Sequence, residues 1–156
     1  MPKVSVDKPV PDFELPATGS KTVRLSELKG QNVLLYFYPK DNTTGCSLEA
    51  GAFRDRQIKF KRLNTAILGV SRDNLKSHEN FRRKYAFKFD LLSDEKETAC
   101  KLFNVIKMKN MYGRKFRGIE RSTFLIDAEG VLRREWRKVV VKGHADEVLK
   151  AVKVLS

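Results

Sequence analysis

Val33-Leu34-Leu35-Tyr36-Phe37-Tyr38 runs directly into Pro39-Lys40-Asp41-Asn42-Thr43-Thr44-Gly45-Cys46, and the fold turns on how this join is read. The first six residues form a continuous apolar run of strand length. That pattern marks a strand covered on both faces, hence a central, parallel one. Pro39 has no N–H and ends the strand. Beyond it Ala50, Phe53, Gln57, Phe60 and Leu63 recur at helical spacing, with Cys46 on the same stripe one turn earlier. A second apolar run, Ala66-Ile67-Leu68-Gly69-Val70, completes a βαβ unit with the sulfur at its hinge.

The flanking segments extend this unit. Asp12 to Pro16 and Thr22 to Leu25 bracket a Gly-containing turn and predict an N-terminal hairpin at one end of the sheet. Leu75, His78, Phe81 and Tyr85 share a helical stripe, and Leu91-Leu92-Ser93 reads as a short strand. Asp94 with Glu97 predicts a capping box for a helix bearing Ala99, Cys100 and Phe103. Ser122 to Ile126 is a further core strand. Asp127-Ala128-Glu129-Gly130 predicts a turn leading to a strand between Val131 and Val141, and Ala145, Val148, Leu149 and Val152 mark a closing helix. The expected class is α/β, a mixed central sheet flanked by helices with an N-terminal hairpin, in one domain spanning residues 1–156.

A cysteine at a helix start is where a thiol becomes a thiolate, because terminal N–H groups and the macrodipole favour negative charge. Thr43 adds a short hydroxyl three residues before the sulfur, and Gly45 lets backbone approach a ligand closely. With Pro39 these residues describe a cradle for a small oxygen ligand. The alternative for Cys46 alone is a small apolar residue tucked into a helix start.

The spacing P-x-x-x-T-x-x-C, from Pro39 through Thr43 to Cys46, resembles the peroxidatic-cysteine motif of peroxiredoxins. Tyr36 to Asp41 before it and Glu49 after it are similar to the bacterioferritin-comigratory, or PrxQ-type, branch. The order of elements resembles the thioredoxin-like fold as elaborated in that family, from about Pro9 to Leu155. The resemblance implies a thiol-dependent peroxidase that reduces hydrogen peroxide and organic hydroperoxides through a Cys46 sulfenic acid, with no metal, haem or flavin. It gives Thr43 and the N–H groups around Gly45 and Cys46 to the peroxide oxygens, and it lets Pro39 shield the sulfur from water. It also places an arginine beside the sulfur, matched here by Arg121 in Gly118-Ile119-Glu120-Arg121-Ser122. Glu49 lies one helical turn beyond Cys46 and either orients Arg121 or complements the helix dipole. His78 reads as a core-facing histidine, His144 as a helix-start residue, and no Cys/His cluster has zinc spacing.

One position departs from the relatives. Many place a second, resolving cysteine five residues after the first, where this chain has Gly51; others carry it in the following helix, but Asn74 to Tyr85 contains none. Cys100 is the one internal candidate, set against its reading as a buried core residue beside Phe103. The expected reductant is therefore external: thioredoxin, glutaredoxin or a small thiol, acting on a monomer.

Composition bounds the alternatives. A chain of 156 residues buries roughly two thirds of its unfolded surface without staples, and two cysteines set far apart argue for a reducing compartment, the cytoplasm. The N-terminus lacks the apolar core of a signal peptide, and no apolar run is long enough for a membrane. A net charge of +13 admits a second reading, a basic nucleic-acid-binding protein on a thioredoxin-like scaffold, with Trp136 among Arg133, Arg134, Arg137 and Lys138 as its feature. No nucleic-acid fold signature accompanies those residues, and solvated faces account for them better.

Overall fold

The apolar runs become the centre of a seven-stranded mixed sheet in a computed structural model that describes residues 3–155. In chain order the elements are β1 (Glu14–Ala17), β2 (Lys21–Arg24), a 3-10 turn (Leu25–Leu28), β3 (Asn32–Phe37), α1 (Thr44–Arg62), β4 (Thr65–Ser71), α2 (Leu75–Tyr85) and β5 (Asp90–Ser93). They continue with α3 (Thr98–Leu102), β6 (Ile106–Met111), β7 (Arg114–Ile119), β8 (Ser122–Ile126), β9 (Leu132–Arg137) and α4 (His144–Leu155). The sheet order is β2-β1-β5-β4-β3-β8-β9. β4 runs parallel to both β3 and β5, while β8 and β9 return antiparallel and the N-terminal hairpin closes the other edge through Ala17 opposite Leu92.

Strand alternation divides the core. Val33, Leu35 and Phe37 face a cluster with Phe13, Leu15, Cys100, Phe103 and Phe124. Leu34, Tyr36 and Tyr38 face the other way, onto Cys46, Ala50, Phe53, Phe81, Val148 and Leu149. The two cysteines therefore lie on opposite faces of the central sheet.

Gly69 on β4 is opposite Tyr36 in the parallel register. A Cβ there would come within 2.9 Å of the Tyr36 ring and of Leu91. Tyr36 cannot yield, since it is fully buried with Tyr38 at 5.5 Å and Phe53 at 4.9 Å between ring centroids. Gly69→Ala is expected to destabilise the protein by about 1–3 kcal/mol through overpacking, measurable as a lower urea midpoint at unchanged m-value.

Three local expectations need correction. Asp94 and Glu97 do not form a capping box: Asp94 Oδ2 accepts the Cys100 N–H at 2.7 Å, while the Asp94 N–H goes to Ser71 O. Glu97 instead turns outward to Arg117 and Arg72, and Arg117 above all holds its carboxyl down to about 2. The last strand stops at Arg137, because Lys138 adopts φ 51° and turns the chain away. Residues 106–119, given no element from sequence, form a separate two-stranded hairpin, β6–β7, that pairs with no strand of the main sheet.

Candidate active site

The join between β3 and α1 works as its residues imply. β3 ends at Phe37, Tyr38 N–H still reaches Val70 O, and half-buried Pro39 starts a loop that turns at Asn42 with φ 61°. Thr43 takes extended dihedrals (φ −83°, ψ 154°) and helix α1 begins at Thr44, so Cys46 occupies its first turn. The first intrahelical bond is Ser47 N–H to Thr43 O at 2.9 Å. The N–H groups of Thr44, Gly45 and Cys46 precede it and donate to no backbone carbonyl among the described residues. Thr43 does not cap this helix with its side chain; its hydroxyl donates to Lys40 O at 2.9 Å, which leaves the oxygen free to accept.

Arg121 reaches this turn from the residue before β8. Its Nη2 donates to Cys46 Sγ at 3.3 Å and its Nη1 to Glu49 Oε1 at 2.6 Å. Gly45 makes the approach possible: a Cβ there would sit 3.1 Å from Arg121 Nη2. The glycine thus leaves room for the guanidinium, where the sequence suggested room for a ligand. Of the two readings of Glu49, orientation of Arg121 is the one the geometry realises. Its side chain points inward, only 1 % exposed, and its Oε2 has no hydrogen-bond partner.

Burial raises the Glu49 carboxyl to about 7, with the Arg121 charge opposing. A carboxyl raised from 4.5 favours the folded state below that value and loses the advantage as pH rises through about 7. Glu49→Gln cannot titrate. Apart from a pH-independent offset, it is therefore expected to gain stability relative to the parent between pH 4.5 and 7, in urea denaturation across that range. A constant difference between the two proteins would show that Glu49 ionises at its ordinary value.

A second buried network fixes the loop from below, and this one was not foreseen. Asp41 Oδ1 accepts Tyr38 OH at 2.7 Å, while Oδ2 accepts Ser77 Oγ and lies 2.7 Å from His78 Nδ1. His78 Nε2 donates to Leu92 O at 2.9 Å, and the Asp41 N–H donates to Asp73 Oδ2 at 2.8 Å. His78 is the core histidine its helical stripe implied, yet it stands with Asp41 and Asp73 in a group whose ligand-type atoms lie within 4.8 Å of one another. Those atoms are engaged with one another and with the Tyr38, Ser71 and Ser77 hydroxyls. Asp41 sat in the quoted motif and His78 on the stripe, but nothing local in the sequence pairs them.

Cys100 is remote from all of this. It is fully buried on the opposite face of the sheet, and burial, with Asp94 adding, pushes its thiol well up. Both cysteines are free.

Residues 6–135 match the AhpC/TSA family. The chain belongs to that family. It is 45% identical over 153 residues to peroxiredoxin Bcp of Bacillus subtilis, covering 98% of both chains. Among solved structures it matches the C47S mutant of Xylella fastidiosa PrxQ with a TM-score of 0.92, at 42% identity over 99% of this chain and 98% of that one. A structure of the Xanthomonas campestris bacterioferritin comigratory protein, from work on its alkyl peroxide reduction activity, superposes with a TM-score of 0.87 at 47% identity, covering 91% and 90%. The AhpC/TSA chain described here is thus a peroxiredoxin of the bacterioferritin-comigratory branch, a thiol-dependent peroxidase with a thioredoxin-like fold. Among the described residues no helix is long and apolar enough to cross a membrane.

Proposed function

We propose that Cys46 is the peroxidatic nucleophile of this peroxiredoxin, and that hydrogen peroxide and organic hydroperoxides are its substrates. The observation that carries this is the bridge Cys46 Sγ···Arg121···Glu49, set across the unpaired N–H groups of the first turn of α1. A sulfur lone pair of the thiolate attacks the terminal peroxide oxygen, the O–O bond breaks, and the sulfur keeps the hydroxyl as sulfenic acid. The departing alkoxide or hydroxide takes a proton from solvent. Arg121 offers a fixed charge to sulfur and leaving oxygen together, and the Gly45 and Cys46 N–H groups stabilise the developing charge. Thr43 Oγ accepts the peroxide O–H and so aligns the O–O bond with sulfur. Pro39 screens the sulfur of Cys46, a residue only 1 % exposed, from bulk water.

Turnover then needs a second thiol. A bridge to Cys100 would have to cross the central sheet, because the two sulfurs belong to opposite core faces and a disulfide needs Cα atoms within about 7 Å. This supports an external reductant: a thiolate attacks the Cys46 sulfenate, hydroxide leaves, and a second thiol releases Cys46 from the mixed disulfide. The cycle runs in a monomeric, single-domain protein in a reducing compartment, the cytoplasm.

The rival reading, a nucleic-acid binder, draws less support from the feature that suggested it. Trp136 is half-buried, meets His144 in an edge-type contact, and has the Arg134 guanidinium over its ring at 4.8 Å, which leaves less of the ring to stack a base. Peroxide consumption with dithiothreitol, set beside salt-dependent retention on DNA, tests the choice. Turnover with no retention at physiological salt is expected; retention without turnover would reverse the assignment.

A further inference from the structure

The β6–β7 hairpin is rooted in the core by Ile106 and Ile119 but pairs with no strand of the main sheet, and the composition of its outer part is unusual. Along Ile106 to Ile119 it carries Lys107, Lys109, Arg114, Lys115 and Arg117 and no acidic residue. Of these cations only Arg117 makes an ion pair among the described residues, to Glu97. Large apolar side chains stand out between them: Tyr112 is 98 % exposed, Met108 67 %, Met111 57 % and Phe116 40 %. An apolar patch rimmed by charge marks an interaction site, and Met, Tyr, Phe and Arg are the residues that interfaces favour.

Register orients the patch. Directly opposed residues share a face, so Lys109 with Phe116 and Met111 with Arg114 lie on one side of the hairpin, while Met108 with Arg117 lies on the other. The Arg117 side turns to Glu97 at the start of α3. The Lys109 side faces away from that pair, and the base of the hairpin is pinned next to Arg121 by the Glu120 N–H, which donates to Val105 O at 2.7 Å. β7 also leads through Glu120 straight into Arg121, which tethers the hairpin at the sulfur.

We infer that the Lys109–Met111–Arg114–Phe116 face of this hairpin docks the reductant, an acidic protein dithiol whose reactive cysteine is surrounded by apolar surface. The inference rests on the external-thiol reading above. Charge complementarity selects the occupant: a chain of net charge +13 repels a second copy of itself at a face bearing cations only. Docking would hold the partner thiolate over Cys46 while the first turn of α1 frays to expose the sulfenate. The partner sulfur then bonds to Cys46 sulfur as hydroxide leaves, and the second partner thiol displaces Cys46 thiolate, so the partner is oxidised and Cys46 reduced.

The test compares two reductants, thioredoxin and dithiothreitol, on peroxide-oxidised protein. Fraying is common to both, but docking is not. Met111→Ser with Arg114→Glu is expected to slow reduction by thioredoxin at least about tenfold and to flatten its salt dependence. The rate with dithiothreitol and the rate of oxidation by peroxide stay at the parental values, and Arg114→Lys keeps the thioredoxin rate. A thioredoxin rate within about twofold of the parent would overturn the inference. So would an equal fall with both reductants, or loss of retention on a double-stranded oligonucleotide with the thioredoxin rate intact, which would make the face a nucleic-acid site. Failure of the external-thiol reading itself has a different signature, a Cys46–Cys100 linked peptide in the oxidised parent.

Discussion

Replacing Cys46 by serine is expected to abolish peroxide consumption, a loss of roughly 10³-fold or more, because a hydroxyl in the same cradle is not ionised at neutral pH. Serine differs by one atom and sits in the same helix turn, so the Arg121–Glu49 pair and the fold remain. Cys100→Ser is expected to leave the oxidation step nearly unchanged, since Cys100 is buried on the other face of the sheet with its thiol pushed up. Stopped-flow oxidation of the two variants checks both halves. A Cys46→Ser protein that consumes peroxide at the parental rate would overturn the assignment.

The second large effect belongs to Arg121. It is the only described group that donates to the Cys46 sulfur, and the same guanidinium anchors buried Glu49. Arg121→Ala is expected to slow oxidation about 10²–10³-fold, the cost of losing one preorganised donor at a developing charge. Stopped-flow oxidation of the variant by peroxide measures the loss. Arg121→Lys is expected to recover little, since an ammonium is a point charge and cannot span sulfur and carboxylate in one plane. Thr43→Val is milder, about tenfold, because it removes an acceptor that orients peroxide and leaves the charge in place. Unchanged oxidation in Arg121→Ala would remove the arginine from the chemistry and leave it as the counter-ion of Glu49.

The readable parts of this chain are those where one local pattern has one structural solution. Val33 to Tyr38 and Ala66 to Val70 could only be doubly covered strands, and Pro39 followed by the Cys46 stripe could only be a strand-to-helix turn. Arg121 was legible through family likeness, because an arginine before a strand has no local signature of its own. The β6–β7 hairpin escaped for a physical reason. Most of its residues are exposed on both faces, so no period-two burial pattern exists, and its turn uses Tyr112 (φ 54°) with Gly113 (φ 77°) in place of an Asn-Gly pair. Asp94 and Glu97 had the spacing of a capping box, but Arg72, just past the end of β4, and Arg117 of β7 compete for Glu97 more strongly than a backbone N–H does. The Asp41–His78 contact failed the same way, joining a loop and a helix that only the tertiary fold brings together. Glu49 was seen, yet its burial, and hence its raised carboxyl, depends on helix α1 facing the sheet with Arg121 closing the site.

The departure at Gly51 bears on the second half of the proposed cycle. A resolving cysteine there would trap the sulfenate within α1, and a Cβ at that position would make ordinary contact only, 3.7 Å from Arg54 Nη2. In the proposed cycle the oxidised sulfur therefore stays at the helix start until a thiol arrives from outside.

Peptide mapping by mass spectrometry, after one equivalent of peroxide and a sulfenate trap such as dimedone, reads that state directly. The trapped adduct is expected on the peptide containing Cys46, with Cys100 recovered as free thiol. A dominant disulfide-linked Cys46–Cys100 peptide would contradict this account, because it would require the two core faces to open and the protein to run a two-cysteine cycle.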